Sequence, residues 1–174
     1  MASGALDLTE PRHLLAKLSH EIDVLTAQPR NSYAAINALR DAYHLREWIW
    51  HGQLKRRPAL QARIIGKNVR SMTKRARERE WTDHIFKKCK NYRLIGELCN
   101  GSKHFGRKRS AKVKATLQAG YGSPLMAYGT GVLGYGVDGI FVQLRSGRIH
   151  SVLHLLQSAR DYWTNLFAHF PQLG

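Results

Sequence analysis

The side chains best suited to chemistry in this chain are cations. Arg63, Lys67, Arg70, Lys74 and Arg77 recur at three- and four-residue intervals, so a helix through them carries one positive stripe, a rail for successive phosphates. Lys55, Arg56, Arg57 and Arg75 crowd the same stretch, and Lys87, Lys88, Lys90, Arg107, Lys108, Arg109, Lys112 and Lys114 extend it. The chemistry expected of such a set is electrostatic contact with a phosphate backbone, independent of base sequence. Trp81, Tyr92 and Phe105 are interleaved with the cations and suit either base stacking or core packing.

The charge balance points the same way. The chain has 28 Lys and Arg against 12 Asp and Glu, a formal net charge of +16. Residues 55–114 hold 20 of the basic and 4 of the acidic residues, and the rest of the chain holds 8 of each. Self-repulsion on this scale disfavours a compact state unless a polyanion relieves it, so nucleic acid is the expected partner. A solvated basic surface and an acidic protein partner are the alternatives.

Other constellations carry less. Gly129-Thr130-Gly131-Val132-Leu133-Gly134 spells a dinucleotide-binding fingerprint, but no strand precedes it and no helix follows at once, so a loop is expected. His84, Cys89, Cys99 and His104 are zinc-type ligands at a spacing that fits no familiar site; no metal and no cofactor are expected. Asp41, His44, Trp48 and His51 share one helix face, with Glu47 close by, which makes His44 either an interior imidazole or a proton carrier.

The run Cys99-Asn100-Gly101-Ser102-Lys103-His104 resembles the R-N-x-x-x-H signature of the HEPN family, with Cys99 at the arginine position. These are small four- or five-helix proteins that include metal-independent ribonucleases of toxin and antiphage systems. The resemblance also covers the order of elements over residues 10–105, and it implies an antiparallel helical bundle. It further implies candidate catalytic residues: His104 as acid and base for attack of a 2′-hydroxyl, Asn100 orienting the phosphate, and His44 assisting. Cys99 cannot supply the cationic fork of an arginine, a charge that Lys103 or Arg93 would have to replace, and family sites are usually shared across a homodimer. The departure leaves a nucleic-acid-binding accessory protein of a ribonucleoprotein or defence complex as the first expectation and an active endoribonuclease as the second.

The elements that must position these groups are mainly helical. Leu14, Leu15, Leu18, Ile22 and Leu25 predict a helix over about 9–27, capped by Thr9 and with Pro11 in its first turn. Ala35, Ala38, Ala42, Leu45 and Ile49 predict a second over about 31–51, stopped by Gly52 and antiparallel to the first across Gln28-Pro29-Arg30. A basic helical region should run from Pro58 towards Lys90, with a possible interruption at Gly66 or Ser71. A fourth helix spans about 91–100, with Gly101 ending it. Residues 140–144 and 148–152 flank Ser146-Gly147 as a hairpin, and Val152 to Phe167 return to helical spacing as a closing amphipathic helix.

The expected whole is one mainly α domain over 1–174: a helical bundle over 9–105 with its basic segment at 55–114, then a Gly-rich loop, a small hairpin or sheet and a final helix over 106–174. Hydrophobic residues at 43% and charged residues at 23% suit a folded chain. Two cysteines offer no disulfide framework, and no window reads as an export signal or membrane span, so a cytoplasmic protein with no membrane contact is expected.

Overall fold

The computed structural model describes residues 8–103, 113–119 and 138–174. Its first helix, α1 (Pro11–Ala27), starts with proline at a position where no amide hydrogen bond is lost. The N-cap is Glu10 and no side chain caps the helix; Thr9, expected to do so, turns its amide and hydroxyl to His13 Nδ1, both at 3.3 Å. Asn31 does cap α2 (Ser32–Ile49), its side-chain oxygen accepting from the Ala34 amide at 3.1 Å. The alanine stripe of α2 is buried as its spacing required, which lets α1 lie close. Lys17 of α1 spans the pair to Asp41 at 2.6 Å and also meets Glu21 at 3.2 Å.

Gly52 does not stop the second helix. The chain widens instead into a π turn, Trp50–Leu54, which buries Trp50 and Leu54 completely enough to offset the roughly 1 kcal/mol cost of a helical glycine. The basic region is interrupted at Gly66, one of the two places its residues pointed to. α3 (Pro58–Ile65) ends at Gly66, whose φ of 78° is the left-handed closure that favours glycine. Asn68 then folds the chain by accepting from the Arg70 amide at 3.0 Å, and Thr73 caps α4 (Lys74–Lys88) through the Ala76 amide at 3.3 Å.

α4 is strongly polar, and among its residues only Trp81 and Ile85 are buried. Trp81 packs on Trp163 at 6.3 Å and donates its indole N–H to the Arg46 carbonyl of α2 at 3.1 Å. α5 (Tyr92–Lys103) continues through Gly101, which therefore does not end it. It lies on α2, where the buried Tyr92 hydroxyl donates to the carbonyls of Ala42 at 2.7 Å and Tyr43 at 3.0 Å.

Three strands follow: β1 (Val113–Ala119), β2 (Gly139–Leu144) and β3 (Ile149–Ser151), antiparallel in that order. The β2–β3 turn falls at Ser146-Gly147 as its residue types required, with Gly147 at φ 85°. α6 (Val152–His169), capped by Ser151, buries Val152, Leu155, Leu156, Ala159, Trp163, Leu166 and Phe167 against α1, α2 and β2. A 3-10 turn, Pro171–Leu173, follows it. Leu173 is fully buried and anchors that turn in a hydrophobic cluster shared by all six helices.

α5 approaches α2 closely at Gly96, where a Cβ would sit 2.6 Å from Tyr43 Cε2. Tyr43 has little room to withdraw, since it stacks on Tyr92 at 6.2 Å and carries the Arg46 guanidinium over its ring at 4.8 Å. Gly96→Ala is therefore expected to destabilise the protein by about 1–3 kcal/mol through overpacking, measured by urea unfolding. An unchanged midpoint would show that α2 and α5 are not in register as described.

Candidate nucleic-acid interface

Breaking the basic region in two redistributes its cations. The turn after Leu54 presents Arg56 and Arg57, α3 presents Arg63, and the loop after Gly66 presents Arg70; all four line one groove of about 610 Å³ with Pro58, Ala59, Leu60 and Gln172. All four arginines are exposed, and none of the groove's lining residues is acidic. Among the described residues no carboxylate forms an ion pair with any of them.

The groove is braced by residues 170–172. Arg57 Nη1 donates to the Gln172 carbonyl at 3.4 Å, and the Arg63 guanidinium lies over the Phe170 ring at 6.0 Å. Beneath it, the Leu54 carbonyl accepts from the Arg57 amide at 2.8 Å and from Gln61 Nε2 at 2.6 Å, which fixes the turn bearing Arg56 and Arg57. Gln61 is wholly buried. No acidic residue occupies the first turn of α3 and no side chain caps it. Its free amides therefore add positive potential to the groove wall formed by Ala59 and Leu60.

Lys55 and Lys74 adjoin the groove beside Arg56. The neighbouring Lys74 charge, and after it Arg56, hold the Lys55 pKa below its ordinary 10.5. Lys74, Arg75 and Arg77 also occupy the start of α4, the end at which the helix dipole disfavours cations. An anion bound here would relieve both repulsions and favour the protonated Lys55. Polyanion affinity is therefore expected to fall as pH rises towards 10.5, earlier than an ordinary lysine would lose its charge, and Lys55→Arg should flatten that decline. A titration of affinity against pH in which the two proteins are superimposable would contradict this.

The uninterrupted stripe expected from spacing is not formed. Lys67 is taken by an ion pair with Glu80 of α4. Arg77 is half-buried, its Nε shielded without an acceptor. Arg75 is exposed, as are Lys87, Lys88 and Lys90 at the far end of α4, about 20 Å from Lys74 at 1.5 Å per residue. There the cations suit the dipole, and burial, followed by Lys88 and Lys87, lowers the pKa of His84. Lys114 is exposed on β1; Arg107, Lys108, Arg109 and Lys112 lie outside the described residues. Trp81 and Tyr92 are 0% exposed, which removes both as base-stacking platforms.

The ribonuclease-type residues are only partly placed. Asn100 is exposed on α5 while its neighbour Cys99 is buried, and His104 lies outside the described residues, as do Phe105 and the run from Gly129 to Gly134. His44 Nδ1 pairs with Glu47 at 3.0 Å, Asp41 turns to Lys17 of α1, and His51 sits exposed in the π turn. Both cysteines are buried and unbridged, and burial pushes the Cys89 thiol up to about 12, far from a reactive thiolate. No group of three or more His, Cys, Asp or Glu gathers to hold a metal among the described residues, nor is any helix there long and apolar enough to cross a membrane.

The groove was missed at the sequence level because its parts come from residues 56–70 and 170–173. The only local signal was the Arg56-Arg57-Pro58 step into a helix. No protein-family model matches this chain, and no curated protein or solved structure matches it.

Proposed function

We propose that the protein binds nucleic acid through its phosphate backbone, with the groove of Arg56, Arg57, Arg63 and Arg70 as the principal contact and Lys55 and Lys74 on its rim. One observation carries this: four arginines face a common recess without a carboxylate among its lining residues. A protein that needed these charges only for solubility would gain nothing from concentrating them, and would lose stability by self-repulsion. Lys87, Lys88 and Lys90 give a second foothold further along the strand.

The test is binding of labelled single- and double-stranded RNA and DNA across a salt series. Neutralising ~6 phosphates predicts a loss of about a thousandfold between low and moderate salt. Failure to bind any of the four, or binding that ignores salt, would refute the proposal. Capture by heparin without binding to RNA or DNA would instead support an acidic protein partner.

A metal-independent, HEPN-type endoribonuclease is kept as a second reading because α5 runs on through Gly101 to Lys103 with Asn100 exposed, so Gly101 does not cut short the helix that bears Asn100. On this reading RNA cleavage persists in EDTA and disappears in His104→Ala. Equal survival of RNA with both proteins would end it.

A further inference from the structure

We infer that the arginine groove takes the terminal phosphate of a nucleic-acid strand, in preference to the diesters within it. This rests on the nucleic-acid reading above and narrows it to the end of the strand.

Counting charges and acceptors leads there. An internal diester carries one negative charge and two unesterified oxygens, whereas a phosphomonoester carries close to two charges and three strong acceptor oxygens. Each guanidinium is a planar fork that can engage two oxygens at once. A surface that tracks successive diesters needs its cations strung out. Here four forks are drawn into a single recess of about 610 Å³, and Lys67, which would have continued the track, is diverted to Glu80.

The recess is also built for a discrete ligand. Arg57 is tied to the Gln172 carbonyl and Arg63 lies over Phe170, so two of the four guanidinia are oriented before any ligand arrives. Preorganisation of this kind favours one placed anion over a sliding chain. The start of α3, which carries no side-chain cap and no acidic residue, adds favourable potential for an anion at the same place. Pro58 and Leu60 add apolar surface beside the four guanidinia.

The experiment compares internally labelled single strands of one sequence bearing a 5′-hydroxyl, a 5′-monophosphate, a 5′-triphosphate or a 3′-phosphate, at constant salt. A hydroxyl-ended strand one nucleotide longer controls for added charge. At least one phosphorylated end is expected to bind about tenfold or more tighter than the hydroxyl-ended strands, the scale of added charge-assisted hydrogen bonds. That preference should vanish in the double variant Arg57→Gln/Arg63→Gln. In Lys87→Gln/Lys88→Gln every strand should weaken together and the ratio should survive.

Equal binding of all strands by the wild type would overturn the inference while leaving backbone binding intact; binding of none would overturn both. Competition by free nucleoside triphosphate or pyrophosphate as strong as that of the phosphorylated strand would assign the groove to a small polyphosphate, and would also overturn it.

Discussion

Replacing Arg56, Arg57, Arg63 and Arg70 together by glutamine is expected to weaken nucleic-acid binding by two to three orders of magnitude at low salt and to lower the salt dependence by about 3 in the slope of log K against log salt concentration. The size is for hydroxyl-ended strands, on which each of the four arginines can meet a separate diester and release about one counterion. The fold should survive, because all four side chains are exposed and their ties are single peripheral contacts, Arg57 to Gln172 and Arg63 to Phe170. Circular dichroism and the unfolding midpoint check that point. A parallel variant with Lys87, Lys88 and Lys90 changed to glutamine removes three charges and should cost clearly less, because it leaves the four-arginine groove intact. Equal losses per charge at both places would mean that only net charge matters.

The second large effect concerns what holds the basic surface in place. Trp81→Ala should destabilise the protein by about 3–5 kcal/mol, a drop in Tm on the order of 10 °C for a chain of this size. α4 offers the core only Trp81 and Ile85, so the indole is most of its adhesion. Losing it removes the contacts with Trp163 and the hydrogen bond to the Arg46 carbonyl. Trp81→Phe keeps much of the ring area and loses the N–H, and should cost about 1–2 kcal/mol. Because Lys74 and Glu80 ride on α4, the alanine variant should also weaken nucleic-acid binding well below its unfolding temperature. A Tm unchanged in Trp81→Ala would contradict the docking of α4 described above.

The helices that frame the core were legible in the residues. Leu14, Leu18, Ile22 and Leu25 on α1 and Ala35, Ala38, Ala42, Leu45 and Ile49 on α2 follow helical spacing because each face is buried along its whole length. The hairpin was legible for a different reason: Ser146-Gly147 supplies the positive φ that a tight turn needs. Glycine elsewhere misled. At Gly52 and Gly101 it reads as a stop, yet its helical penalty of about 1 kcal/mol is outweighed when neighbours such as Leu54 and Cys99 are buried. At Gly66 it does close a helix, and that closure invalidates counting Arg63, Lys67, Arg70, Lys74 and Arg77 on one face.

The segment that carries the charge was thus visible, and the shape of the surface was not. Spacing along one helix cannot show that Arg57 meets Gln172, or that Lys67 is neutralised by Glu80. Both depend on the loop between α3 and α4 and on a turn more than a hundred positions away. Likewise nothing local marks Gln61 as the residue that pins the Leu54 carbonyl; it reads as an ordinary polar side chain on a basic helix.

The most direct test of the central claim is photocrosslinking of the full-length protein to a short strand carrying a reactive group beside its phosphates, with the attached peptides identified by mass spectrometry. Attachment is predicted on residues 56–70 and around Gln172, with a weaker set at 87–90. Crosslinks confined to the α1–α2 face around Lys17 and Asp41, or spread evenly over the surface, would contradict it.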